Sequence, residues 1–198
     1  METTFWEEMY RSRDQVFSGN PNEVLVAEVA GLTPGRALDL GCGEGADAHW
    51  LARRGWQVTA IDTAETALRR AAEAAPDVAG RVTWTLGDPA VSPPEAGVFD
   101  LVTAHFFPLL RQPGDAALRA LLAAVAPGGT LLYVGHDLTD LPPQPANSPD
   151  PYAYYQPAHV AALLDDAWIV EVDELRPRAT PSASPHSRDV VLRARRLG

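Results

Sequence analysis

The chain has 198 residues, 46% hydrophobic and 21% charged, which suits one domain with a single large core. A formal charge of −10 argues against a nucleic-acid partner, whose phosphates need a basic footprint. No apolar run reaches the roughly 18 residues of a membrane span, Cys42 alone allows no internal disulfide, and the acidic opening "METTFWEEMYRSRDQ" shows no secretory leader, so the expected setting is cytoplasmic.

Residues 3–17 are predicted as an amphipathic helix, with Phe5, Trp6, Met9, Tyr10 and Val16 available for one face. "GNPNE" (19–23) reads as a turn, with Asn20 placed to cap a helix through "NEVLVAEVAGL". Strands are then predicted at 36–41, 56–62, 81–88, 98–105 and 129–137, with helices at 45–54, 64–75 and 113–129 among them. Strand and helix in alternation argue a parallel sheet covered by helices on both faces.

The rhythm breaks after the fifth strand. Residues 137–157 have loop composition, with six prolines and three tyrosines, and a helix is expected from about 157 to 166. Two further strands, 168–176 and 187–196, have no helix between them and are most simply an antiparallel pair.

The densest motif is "ALDLGCGEGADA" (37–48), with glycines at 41, 43 and 45 straight after the first strand. Glycine lets the chain turn sharply off a strand and approach a ligand closely. The stretch satisfies the dinucleotide pattern G-x-G-x-x-G/A, with Asp62 some twenty residues on for a ribose hydroxyl. It equally satisfies D-x-G-x-G-x-G, led by Asp39.

The remaining motifs separate the two. "LDLGCGEG", "VTAID", "LGD", "FDLVTAHF" and "APGGTLLYV" follow one another along the chain, and over roughly residues 20–195 it resembles the class I S-adenosylmethionine-dependent methyltransferases. The N-terminal "FWEEMYRSRDQVFSGNPN" is similar to the aromatic entry segment of the thiopurine/tellurite methyltransferase-like branch. The resemblance implies an α/β, Rossmann-like, doubly wound seven-stranded sheet, mostly parallel with a C-terminal antiparallel hairpin. It implies one domain over 1–198 and S-adenosylmethionine as cofactor. Because a parallel sheet leaves its ligand exposed at the strand C-termini, the segments 1–19 and 138–157 are expected to close over it as lids. The resemblance sets Asp39 and Gly41 at the methionine end of the cofactor and passes Gly43 and Gly45 beneath it. Asp62 would accept both ribose hydroxyls, and Asp88 the adenine amino group beside Leu86 and Pro89. Ala104 and His105 would lie next to the methionine moiety and the methyl group.

The charges agree with such a ligand: it carries a sulfonium and an ammonium but no phosphate, and the loop holds Asp39 and Glu44. A pyrophosphate reader usually keeps carboxylates off its helix N-terminus. All 16 basic residues are arginine, which removes a Walker lysine, a Schiff-base lysine and the lysine of a Tyr-x-x-x-Lys reductase. Methyl transfer from a sulfonium needs alignment, desolvation and sometimes a base, for which His105 is the candidate. "AHFF" stands where "[DN]PP[YFW]" would mark amino-methylation of nucleic-acid bases, so a small molecule is the default acceptor, with a soft S, Se or Te nucleophile favoured by the entry segment. A binding protein that senses the cofactor without catalysis remains the competing class.

Other residues have plainer readings. Cys42 is expected as a small buried filler, His49 as structural, and His159 and His186 as surface residues. His136 ends a strand where active sites collect, and tyrosines 152, 154 and 155 are either lid or packing residues. No His/Cys/Asp cluster has ligand spacing, so no metal is assigned.

Overall fold

The computed structural model describes residues 3–139, 150–178 and 187–198. Seven strands form one sheet: β1 (Arg36–Leu40), β2 (Gln57–Asp62), β3 (Val82–Leu86), β4 (Phe99–His105), β5 (Val125–His136), β6 (Trp168–Pro177) and β7 (Arg188–Arg196), in the order β3-β2-β1-β4-β5-β7-β6. The first five run parallel, and β7 is antiparallel to both β5 and β6. This is the architecture that the sequence implies.

Side-chain alternation along the strands sorts the core into two layers. Ala37, Val58, Ala60, Leu101, Leu132 and Val134 pack with α2 (Glu23–Val29) and α3 (Ala46–Arg53). Leu38, Leu40, Val102, Ala104, Leu131 and Tyr133 pack with α5 (Ala116–Ala124) and α6 (Pro157–Ala161). Outside these layers, α1 (Thr3–Arg11) lies on α4 (Glu65–Ala74) through Trp6, Met9, Tyr10, Ala64 and Ala67.

Four expectations about the elements change. The N-terminal helix stops at Arg11, where Ser12 turns back to the carbonyls of Glu8 and Met9. Trp6, Met9 and Tyr10, at i, i+3 and i+4, make its buried face, while Phe5 stays 46% exposed on another. Asn22, not Asn20, stands at the N-cap of α2, and its side chain bonds Asp47 instead of capping. The expected helix over 113–129 ends at Ala124, and β5 begins at once at Val125, ahead of the Pro-Gly-Gly. Pairing across the sheet holds that start: Val125 sits opposite Phe99, and Arg196 donates to the Val125 carbonyl. Finally, α6 is shorter than expected, because Leu163 and Leu164 bond three residues back and tighten the chain into turns. Of the proposed lid at 138–157, residues 140–149 lie outside the described residues, as does His186.

Candidate functional site

Between β1 and β4 the strand order reverses, and open α/β sheets take their ligands at the carboxyl ends of such a pair. Asp39, Thr103 and His105 continue the alternation of Ala37 and Leu101, so all three face α2 and α3 at this edge. Asp39 stands opposite Thr103 in register. The N-terminus of α3 brings Asp47 to the same place, with its carboxylate 3.4 Å from His105 Nδ1. Thr103 Oγ1 lies 2.9 Å from the same nitrogen.

Two atoms here are buried and without a hydrogen-bond partner among the described residues: Asp39 Oδ2 and His105 Nε2. Burial pushes the Asp39 carboxyl well above the usual aspartate range, and the charges of Asp47 and Asp62 push it further. Burial also lowers the proton affinity of His105, against the pull of Asp47 and Asp189. No arginine makes an ion pair with Asp39, Asp47 or Asp62 among the described residues. A cluster of buried acids with an orphaned acceptor fits a ligand that brings positive charge and N–H donors.

The glycine loop carries Gly41, Gly43 and Gly45 at φ of 69°, 54° and 83°, a region that strains any side chain. A Cβ on each would also collide with the protein itself. It would come within 2.8 Å of the Phe107 ring at Gly41, 2.7 Å of the Tyr10 hydroxyl at Gly43 and 2.7 Å of Trp84 at Gly45. The glycines therefore serve internal packing, a role that their spacing did not reveal.

Asp62 ends β2 and is buried, with one oxygen accepting from the Gly43 N–H at 2.8 Å and the other from Ala64 at 2.9 Å. Burial raises its proton affinity and these backbone donors oppose the rise. Asp88 accepts from the Ala90 N–H at 2.9 Å, a local turn contact, and Leu86 before it is 58% exposed at the sheet edge. The Ala104 side chain points away, into the α5/α6 layer, so only its backbone reaches the site edge.

Glu44 has a different part from the one its charge suggests. Its carboxylate accepts from the Val16 and Phe17 N–H groups and from Arg70, which also donates to the Arg13 carbonyl. Glu7 in turn accepts from the N–H and hydroxyl of Thr66 in the first turn of α4. Residues 7–17 are thereby fastened over the glycine loop, and Tyr10, 3% exposed, lies against Gly43.

His49 is structural as expected: its Nε2 donates to the Ala71 carbonyl and ties α3 to α4. His159 is half-buried, its Nδ1 accepting from the Gln156 N–H at the start of α6. Tyr155 is a packing residue, buried with its hydroxyl 2.7 Å from Asp115, whereas Tyr152 is 59% exposed. Beside the site, Phe106 (φ 55°) stacks on His136 at 4.2 Å, and the Arg178 guanidinium lies 4.9 Å from the centre of the Phe106 ring. Asp47 and Thr103 were not given a site role from the sequence, whereas Phe106 was expected among the aromatics around the acceptor. An acid in the first turn of the helix after a glycine loop was the one signal for Asp47. No group of three or more His, Cys, Asp or Glu fit to hold a metal occurs among the described residues.

Fold and site together define a nucleotide-type α/β domain with an acidic, cation-ready cleft at its switch point. A methyltransferase-domain family model matches residues 37–129. Along its whole length the chain superposes on 93% of a structure solved for the conversion of a disulfide bond into a thioacetal group during echinomycin biosynthesis, with a TM-score of 0.76 and 24% identity. TehB from Haemophilus influenzae aligns with 98% of this chain and 67% of its own, with a TM-score of 0.67 and 17% identity. The ribosomal RNA small subunit methyltransferase C of Alcanivorax borkumensis is 35% identical over 109 residues, 52% of this chain. The chain spans 33% of the length of that relative. Residues 37–129, a little under half of the chain, thus match a methyltransferase domain, and the fold is one shared with solved S-adenosylmethionine-dependent methyltransferases.

Proposed function

We propose that the protein transfers a methyl group from S-adenosylmethionine to a small-molecule acceptor, with a soft sulfur, selenium or tellurium atom as the favoured nucleophile. The observation that carries the cofactor assignment is the buried, unpartnered Asp39 Oδ2 at the end of β1. An ammonium N–H supplies what that oxygen lacks, and the surrounding acids favour a cation. The cofactor, when bound, brings a methyl group already activated on a sulfonium.

The rest of the work falls to the chain. Asp39 and the Gly41 turn hold the methionine end, Gly43 and Gly45 shape the loop beneath it, Asp62 receives the ribose diol, and Asp88 with Leu86 holds the adenine. Ala104 contributes backbone at the methyl end, and His105 takes a proton from an acceptor that still carries one. The segments 1–19 and 138–157 of this single domain exclude water from the site.

An aromatic neighbourhood of Tyr10, Phe106 and Phe107 suits a small acceptor. The charge of −10 disfavours RNA, although one relative acts on ribosomal RNA by name. The sulfur chemistry named for the echinomycin structure agrees with a soft acceptor. A cytoplasmic setting, with its lone thiol reduced, belongs to the same proposal.

Calorimetric titration with S-adenosylmethionine and NADH tests the cofactor, and release of S-adenosylhomocysteine across a panel of thiols, selenols and alcohols tests the acceptor. Binding without turnover on any of them makes the protein a cofactor sensor. Turnover on RNA alone removes the small-molecule reading.

A further inference from the structure

His105 is held from one side only. Its Nδ1 faces Thr103 Oγ1 at 2.9 Å and Asp47 Oδ2 at 3.4 Å, while Nε2 is buried and has no partner. We propose that Asp47 is the positioning residue of His105, fixing the ring in the tautomer protonated on Nδ1 and leaving Nε2 as the bare atom that takes the acceptor's proton. This rests on the methyl-transfer reading above.

The two neutral tautomers differ in what they leave unsatisfied. With the proton on Nε2, a buried N–H would have no acceptor, and Nδ1 would accept from the Thr103 hydroxyl with its lone pair facing the Asp47 carboxylate 3.4 Å away. With the proton on Nδ1, the ring donates to Thr103 Oγ1 with the Asp47 carboxylate 3.4 Å from the same nitrogen, and only a lone pair is left over. Orphaned buried donors are rarer than under-satisfied acceptors, so the second arrangement wins.

Asp47 cannot turn away to escape the choice. Its Oδ1 accepts from the Asn22 N–H at 2.7 Å, and Oδ2 accepts from Asn22 Nδ2 at 2.8 Å. The segment entering α2 thus orients the carboxylate, and the carboxylate orients the ring. Asp47 from α3 and Asp189 from β7 are the charged groups that act on the imidazole, and both favour the imidazolium once a proton arrives. Burial keeps the resting ring neutral, as a base must be. In the step itself the S–H or O–H bond of the acceptor breaks, its electron pair stays on the nucleophile, and the proton moves to Nε2 and later to solvent.

Nitrogen NMR of protein labelled with ¹⁵N-histidine, with His105 assigned by His105→Gln, reads the tautomer without any turnover. The expected result is a protonated Nδ1 and a bare Nε2 in the native chain, with Nε2–H gaining population in Asp47→Asn. On an acceptor that is protonated at the assay pH, Asp47→Asn lowers kcat by about 10- to 100-fold, less than the 10²–10⁴ of full base loss, with KM for the cofactor within a few-fold. Asn22→Ala moves both readouts the same way by less, and carries the test if Asp47→Asn does not fold. A native ring protonated on Nε2, or an unchanged tautomer in both variants, overturns the assignment. So does capture of Nε2 by S-adenosylhomocysteine alone, which would make the cofactor its partner. If the tautomer behaves as expected and no acceptor is methylated, the positioning stands and the transfer reading falls.

Discussion

The two ends of the active edge of the sheet treat buried acids in opposite ways. Around β6 and β7 each one meets arginine: Glu28 accepts from Arg176 and Arg193 at 2.8 Å, Asp189 pairs with Arg178 at 2.8 Å, and Asp137 with Arg188 at 2.7 Å. Around β1, β2 and β4, Asp39, Asp47 and Asp62 are as deeply buried and, among the described residues, meet only backbone N–H groups, Asn22 and His105. Burying charge is costly unless it is compensated. Compensation from within the chain marks β6–β7 as framework. Its absence at the switch point marks a place where the compensating charge is expected from a ligand.

The comparison breaks most sharply at His105. His105→Ala should lower the maximal rate by about 10²–10⁴ on an acceptor that is still protonated, and by no more than a few-fold on one that is already an anion. Steady-state rates on a matched thiol and alcohol series decide this. Equal losses on both would give the ring a binding role.

Next come the anchors. Asp62→Ala should weaken S-adenosylmethionine binding by about 1.5–3 kcal/mol, the scale of hydrogen bonds to a charged group. Asp88→Ala should cost less, because packing also holds the base. Calorimetric titration measures both, and circular dichroism confirms that the Gly43 and Ala64 N–H groups have not been lost to unfolding. Unchanged affinity in the Asp62 variant would remove the ribose assignment.

On the framework side, Glu28→Ala removes the buried carboxylate shared by Arg176 and Arg193, two guanidinium groups about a quarter exposed that keep only Glu174 and Glu171 as ion-pair partners among the described residues. It should destabilise the fold by about 1–3 kcal/mol, below the 3–5 of a fully buried pair because solvent screens the arginines. Cofactor affinity should not move, and denaturant unfolding with a parallel titration checks both halves.

The smallest effect concerns pH. Asp39 binds its proton more tightly folded than unfolded, so the free protein should lose stability as pH rises from the ordinary aspartate range through the raised folded value. Asp39→Asn should flatten that slope while weakening cofactor binding, since the amide cannot match a carboxylate toward an ammonium. Thermal unfolding from about pH 4 to 8 reads the slope. A steeper loss in the variant would contradict the assignment.

Much of this was visible in the chain. The strand positions followed from alternation bounded by Gly and Pro, and the hairpin β6–β7 from the missing helix. That Asp39, Asp62 and His105 lie at strand ends was legible because motif spacing names those ends, which is where such a sheet collects function. What escaped depends on distant partners. Val125 is helix-like by local pattern and becomes strand through Phe99 and Arg196, more than twenty residues away on either side. Glu44 looked like a ligand group by charge, yet Val16, Phe17 and Arg70 use its oxygens. Asp47 was hidden for the same reason, because its partner His105 lies on another strand.

The glycine loop contains the chain's only thiol, Cys42, whose proton affinity burial raises well above the ordinary cysteine range, with Asp39 and Asp62 adding to it. A thiol alkylates as the thiolate, so the half-buried Cys42 should react slowly at neutral pH. The alkylation rate of the native protein therefore reports how firmly the acid cluster keeps the thiol protonated, with no second sulfhydryl to confuse the count. A ligand that brings positive charge beside Asp39 and Asp62 should change that rate, and mass spectrometry reads it without a label or an engineered residue.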